Sequence, residues 1–334
     1  MIKRYLTVGL AMVWLVGKAE SVKVVYRILS EDGNPVTNAV VKTTTERDRL
    51  NISWTKPIKM KTWTVSSGND GRAISDFTCH SGYFEVEVSA DGFYPERLRD
   101  QYFATRLNSS NTGQIFEERE KELSITLRRV INPIDMVVHR FPHKYFPRRS
   151  GEFGFDLEKG DWTAPFGAGK VADMTFTYNL TVTNDEERCA GSLSFAAGGG
   201  AYKLKKQNGT SFVSVYEADS NVTYRAEFPF SSYCSYKDSG NHGAVRVAED
   251  DEYLVFRTRI VKDDDGNIVS ANYGKIYGAI RTVGFFGAKA IYFNPTPNDT
   301  NLEDVETAKR ARHSIRQCEP PPQSEEKRKS FWPF

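Results

Sequence analysis

Cysteine is scarce in this chain of 334 residues, and its four copies, Cys79, Cys189, Cys234 and Cys318, form no Cys-x-x-Cys pair. The five histidines contain no His-x-x-Glu spacing, so the usual zinc-binding patterns are missing and no metal is expected. No serine lies in a Gly-x-Ser-x-Gly elbow, which removes the commonest signature of a serine hydrolase. Gly198-Gly199-Gly200 precedes neither Gly-Lys-Ser nor a helical pattern, so it reads as a turn and not as a phosphate cradle. No cofactor is expected. A dominant charge is lacking too, with 45 Lys and Arg against 43 Asp and Glu. The two signs are interspersed, without the one-sided clustering that tracks a phosphate backbone, and nucleic acid is not an expected partner.

Long apolar runs are confined to the N-terminus, where Lys3 and Arg4 precede residues 5–16 and Gly17-Lys18-Ala19 follows. This is the layout of a secretory signal peptide, residues 1–19, cut after Ala19. Its apolar run is shorter than the ~20 residues of a membrane-spanning helix. No integral membrane segment is expected after cleavage, and the chain is expected to be periplasmic or extracellular. Loss of Lys3, Arg4 and Lys18 leaves 42 basic residues against 43 acids, a net charge of −1. Export permits disulfides. Cys189 with Cys234 is the favoured pair because both fall in one domain, and buried thiols are the other account.

What the chain has in abundance is strand pattern, with aromatic and β-branched residues alternating with charge. From Asn69 to Pro95 the order reads as turn, strand, loop, strand, turn, the grammar of a hairpin with one face buried. Asp70-Gly71 and Asp91-Gly92 are the turn dipeptides, and Phe84, Val86, Val88 and Ala90 alternate with polar neighbours. Together with Val24 to Ile28 and Asp32 to Val41, this stretch resembles the carboxypeptidase regulatory-like domain. That resemblance implies a small transthyretin-like β-sandwich over residues 22–129, and it brings no catalytic residues. Residues 96–122 lose the alternation and are expected as a long loop before Leu123 to Leu127 closes the sandwich.

Residues 130–150 carry Asn132-Pro133, Phe141-Pro142 and Phe146-Pro147 and are expected to be a linker. His139 and His143 lie four apart, but Pro142 between them disrupts the helix on which they would form a ligand pair. Residues 151–297 hold a series of strand patterns, among them Met174 to Val182 and the hairpin of Tyr253 to Val261 with Ile268 to Tyr273. They predict a second, larger β-sandwich. Gly154 to Trp162 and Asn294 to Asp299 are similar to signatures in exported bacterial proteins, a likeness that carries no activity. Residues 298–334 are expected to be a short helix, opened by a Thr300/Glu303 capping box, and a disordered tail. The fold class is therefore all-β, two sandwiches with a short C-terminal helix.

The densest chemistry is the carboxylate group Asp156, Glu158, Asp161 and Asp173 around Trp162. A glycosidase needs two carboxylates flanking a sugar with an aromatic platform beside them, so Trp162, Asp156, Glu158 and Asp161 are the candidate ligand-binding residues. The competing account is a loop around a packed indole. Asp263-Asp264-Asp265-Gly266-Asn267 has the composition of a calcium loop but lacks its spacing and terminal Glu, so a solvated hairpin turn is preferred. No catalytic residue is assigned. The expected function is that of an exported non-enzymatic protein acting by surface contacts at the cell envelope, with carbohydrate or an envelope protein as partner. The alternatives are a hydrolase built on the second domain's carboxylates and a purely structural envelope component.

Overall fold

A computed structural model describes residues 20–47, 59–79, 83–101, 120–206, 212–237, 242–278, 280 and 284–309. The expected signal peptide, Cys318, the helix beyond residue 309 and the tail lie outside the described residues. The chain divides into two compact units, residues 1–90 with 96–127 and residues 91–95 with 128–334.

In the first unit, β1 (Glu20–Ser30) pairs with β4 (Arg72–Cys79) and β7 (Glu120–Leu127) in a three-stranded sheet. The second sheet runs in the order β3 (Lys59–Ser66), β2 (Val40–Arg47), β5 (Tyr83–Ser89) and β6 (Glu96–Gln101). Alternation selects the core. Val24, Tyr26 and Ile28 point inward from β1, Val41 and Thr43 from β2, and Phe84, Val86 and Val88 from β5. Tyr26 Oη and Thr43 Oγ1, 2.6 Å apart, join the two sheets, and Phe77 packs on both Trp63 and Phe84.

Two expectations change here. The strands flanking the Asp70-Gly71 turn lie in opposite sheets, and so do β4 and β5, so the 69–95 stretch carries the chain between sheets instead of folding into one hairpin. Gly71 sits at φ +73°, and a Cβ there would stand 2.5 Å from the Ile28 carbonyl oxygen. Residues 96–101, expected as loop, form the edge strand β6. An edge position tolerates their Glu-Arg-Leu-Arg-Asp-Gln pattern, because among the described residues one side of the ladder faces no further strand.

The second unit is larger. Its first sheet has the order β10 (Asp161–Trp162), β9 (Ser150–Asp156), β11 (Met174–Val182), β12 (Glu186–Phe195), β14 (Glu227–Ser235) and β15 (His242–Val245). Its second sheet has the order β13 (Gly200–Lys205), β16 (Glu252–Lys262), β17 (Ile268–Tyr277), β18 (Phe285–Phe293) and β8 (Val137–Tyr145). Between them lies a core rich in aromatics, including Phe155, Trp162, Phe176, Phe256, Phe286 and Phe293. Strand β17 is buried on both faces, Ile276 toward that core and Tyr273 and Tyr277 toward a second cluster with Ala218 and Leu302. The unit therefore has three layers, two sheets and a cover of irregular chain.

Residues 137–145, expected within a linker, are an edge strand of the second sheet. Pro142 and the basic residues around it obscure the strand pattern, yet an edge strand accommodates a proline where no ladder donor is needed. Residues 294–304 and the helical residues 305–309 pack onto the sheet, and the helix cap differs from the expected Thr300/Glu303 box. Asp304 Oδ1 accepts from Thr307 N at 2.7 Å, while Glu303 is held elsewhere by Tyr94 and the N–H groups of Ile131 and Asn132. Cys189 and Cys234 are thiols and the expected disulfide is not formed. They sit on neighbouring strands but out of register, Cys189 opposite Ser232 and Cys234 opposite Glu187. Such diagonal neighbours have Cα atoms roughly 7–8 Å apart, beyond disulfide reach.

Candidate functional site

Strand β9 ends at Asp156, the chain turns through Glu158 and Lys159, and β10 returns it through Asp161 and Trp162, so four expected residues arrive on one tight connection. Asp156 is buried at its base. Its Oδ1 accepts from the backbone N–H of Glu158 and Lys159, both at 3.0 Å, and its Oδ2 from Lys170 at 2.8 Å and Val171 at 3.1 Å. The carboxylate thus ties together the turn and the loop before β11.

The residue that organises the cluster is Arg259, which no local pattern marks. Strand β16 bulges after Thr258, and Arg259 takes φ +52°, turning its side chain out of the ladder toward the carboxylates. Its Nε and Nη2 reach Asp173 Oδ1 and Oδ2 at 3.0 and 3.1 Å, its Nη1 reaches Glu158 at 2.5 Å and its Nη2 reaches Asp156 at 3.3 Å. The guanidinium also lies 4.7 Å from the Phe293 ring centre. Asp173 accepts further bonds from Leu157 N and Thr258 Oγ1.

The electrostatics follow from these contacts. Burial raises the pKa of Asp156, but bonds from Lys170, Lys159 and Val171 and the charge of Arg259 outweigh it and hold the carboxyl below its ordinary value. Glu158 is held low chiefly by its bond to Arg259. Asp161 is pulled upward by burial and more strongly downward by Ala168 N, Lys144 and Trp162 N. A general acid needs the opposite perturbation, a carboxyl kept protonated near neutrality.

Trp162 is 3 % exposed. Its Nε1 donates to the Tyr145 carbonyl at 2.9 Å, and its ring packs edge-on against Phe155 and Phe176. Its indole belongs to the core, where a sugar has no face to stack on. Asp161 points away from Arg259 toward Lys144 Nζ, at 2.6 Å, and toward Ala168 N. The structure therefore unites Asp156 and Glu158 with Asp173 and leaves Asp161 in a separate contact.

The remaining metal candidates have structural partners. His139 Nε2 lies 2.8 Å from the Glu158 carbonyl, while His143 packs edge-on against Phe285. Asp263 accepts from Asp265 N, Asn267 N and Asn267 Nδ2, closing the β16–β17 turn. Among the described residues, no group of three His, Cys, Asp or Glu is placed to hold a metal ion.

A second polar cluster went unmarked in the sequence. Lys275, on β17, is fully buried, with Nζ 3.2 Å from Ser214 Oγ, 2.5 Å from the Leu302 carbonyl and 3.3 Å from Asp304 Oδ2. The rings of Phe212, Tyr292 and Tyr277 surround it, their centres 4.6, 4.7 and 5.2 Å from Nζ. Arg128 donates to the carbonyls of Phe212 and Ser214 and so fixes the segment that covers it. The available signal was a lysine sharing a strand face with Tyr273 and Tyr277.

No family model and no curated protein matches this chain. Among solved structures, a 3-chlorocatechol 1,2-dioxygenase from Rhodococcus opacus aligns at 12 % identity over 34 % of this chain and 61 % of its own, TM-score 0.24. This chain thus spans less than two thirds of that enzyme. A DUF3823 family protein from Parabacteroides merdae aligns at 10 % identity over 85 % of this chain and 100 % of its own, TM-score 0.20. The major pilin SpaD from Corynebacterium diphtheriae aligns at 9 % identity over 86 % and 84 %, TM-score 0.25. Likenesses at these scores carry no conclusion about what this chain does.

Proposed function

We propose that this chain is an exported, non-enzymatic β-sandwich protein that acts by surface contacts at the bacterial cell envelope, with another protein as its partner. The observation that carries this reading is the state of the carboxylates: Asp156, Glu158 and Asp173 are spent on Arg259 and on backbone N–H groups. Asp156 and Glu158, committed to Arg259 and held below their ordinary values, have no proton to give at neutral pH. Export rests on the Lys3-Arg4 and apolar layout of residues 1–19. Among the described residues, no helix is long and apolar enough to cross a membrane. The first unit is assigned to the carboxypeptidase regulatory-like, transthyretin-like class on its turn and strand motifs.

Protein is favoured over carbohydrate because the Trp162 platform is buried, whereas the β16–β17 hairpin exposes Val261, Ile268 and Val269 beside the acidic turn at Asp263. Aliphatic side chains at a charged rim fit a protein surface better than a sugar. The test is saturable binding of the chain from Glu20 onward to fractionated envelope proteins, run beside a glycan array and a glycosidase assay. The expected result is a protein partner whose binding falls at least tenfold in Val261→Asp/Val269→Asp with unchanged melting. Glycan cleavage that Glu158→Gln abolishes would overturn the reading, as would binding indifferent to the hairpin.

A further inference from the structure

We propose that Lys275 and Asp304 are joined by an intramolecular amide bond between Lys275 Nζ and Asp304 Cγ. The two side chains are 0 % and 1 % exposed and meet at 3.3 Å, Nζ to Oδ2. Each is placed by other contacts. Asp304 Oδ1 caps the helix through Thr307 N, which leaves Oδ2 as the oxygen turned to the lysine. Lys275 is fixed by its strand, by Ser214 Oγ and by the Leu302 carbonyl, beneath the ring of Phe212.

The surroundings favour condensation over a lasting ion pair. Burial makes the charged pair costly even with the bonds from Nζ to Ser214 Oγ and the Leu302 carbonyl, and proton transfer within the pair removes both charges at once. Burial lowers the Lys275 pKa to about 8, more than Asp304 raises it, so the amine form is within reach near neutral pH. From that neutral pair the Nζ lone pair attacks Cγ and a C–N bond forms. Oδ2 then leaves as water, taking the carboxyl proton and one amine proton, while Oδ1 remains the amide carbonyl and keeps Thr307 N as its donor. Ser214 Oγ, 3.2 Å from Nζ, is placed to carry the amine proton. No oxidant, reductant or other reactant is needed. Held groups behave as if at effective concentrations on the order of 10⁵ M or more, which favours amide formation here, whereas an amide between a free amine and a free acid in water tends to hydrolyse. The enclosing rings of Phe212, Tyr277 and Tyr292 keep that water out.

The bond would fasten the segment that covers the second sheet onto its middle strand, a covalent clasp made without cysteine. It stands independently of the binding role proposed above. The test is mass spectrometry of the reduced, denatured chain followed by tryptic mapping. The expected intact mass is one water below the sequence value, with no cleavage after Lys275 and a branched peptide whose fragments join Lys275 to Asp304. The branched peptide separates this bond from cyclisation of an N-terminal glutamate, which also loses water. Lys275→Met and Asp304→Ala should each show no branched peptide and their full calculated mass at these positions. Mass is read after denaturation, so a variant that folds poorly still reports. Ordinary tryptic release after Lys275 in the natural chain, or a branched peptide that persists in Asp304→Ala, would overturn the proposal.

Discussion

Arg259 grips Asp173 through two nitrogens, Nε to Oδ1 at 3.0 Å and Nη2 to Oδ2 at 3.1 Å, across 86 residues of sequence. The fork is shared with Asp156 and Glu158, so three carboxylates depend on one guanidinium that is itself only 23 % exposed. Arg259→Ala would leave Asp173 and Asp156 buried without a counter-charge, and a loss of about 3 to 5 kcal/mol is expected from urea unfolding. Arg259→Lys keeps the charge but not the fork, and a smaller loss is expected.

The same cluster sets an acid dependence. Folding holds the pKa values of Asp156 and Glu158 below their ordinary values, the first through backbone donors and Arg259 against the upward pull of burial, the second through Arg259. A depressed folded pKa contributes stability that is present above the unfolded value and lost as pH falls through the folded one. Unfolding midpoints should therefore decline below about pH 4, where unfolded carboxylates begin to take up protons. In Arg259→Met this decline should be shallower. Equal slopes in the two proteins would remove Arg259 as its cause.

How much of this could be read from the sequence varies with the element. Strand β11 ends at Met174 and Val182 as its alternation predicts, and the Asp263 turn joins a true hairpin, because both signals are local. Strand β8 was hidden by Pro142, and β6 by its charge, since edge strands do not need the pattern that marks central ones. The carboxylates at 156, 158 and 173 were legible as a group, but Arg259 depends on a bulge and a partner 86 residues away. Lys275 was obscured for another reason. A lysine between tyrosines reads as the wet face of a strand, and only the later cover around Leu302 and Asp304 makes it dry.

Gly274 leaves no room for a side chain in the second sheet of the larger unit. A Cβ there would fall 2.2 Å from Phe256 Cζ and 2.3 Å from the Tyr292 carbonyl oxygen. The ring could shift, but the carbonyl belongs to the neighbouring strand. Gly274→Ala should cost about 1 to 3 kcal/mol or more by forcing β17 from its partners, measured as a lowered denaturation midpoint. An unchanged midpoint would mean that the sheet yields more readily than its geometry implies.

In the first unit the turn and the core should fail for different reasons. Gly71→Ala meets both a positive φ and the Ile28 carbonyl, while Val86→Ala removes two methyl groups from a fully buried site. Each should lower stability by about 1 to 3 kcal/mol, seen as a fall in Tm, and neither should alter binding by the second unit. A variant that loses binding at unchanged Tm would show that the 69–95 stretch does more than support the fold.

Glu96 supplies the opposite pH signature. It is buried at the start of β6, its Oε2 has no hydrogen-bond partner among the described residues, and burial pushes its pKa up to about 8. A raised folded pKa contributes stability that is fully present below the unfolded value, near 4.3, and lost as pH rises toward the folded value. Between about pH 4.5 and 8 the natural chain should therefore weaken as the unfolded state releases a proton that the folded state retains. Glu96→Gln presents a similar shape without that proton and should flatten the decline, so that the variant melts above the natural chain at pH 8 and close to it at pH 5. Thermal melts at the two pH values decide the matter. A variant that melts lower than the natural chain at pH 8 would mean that the carboxylate form of Glu96 is the one the fold uses.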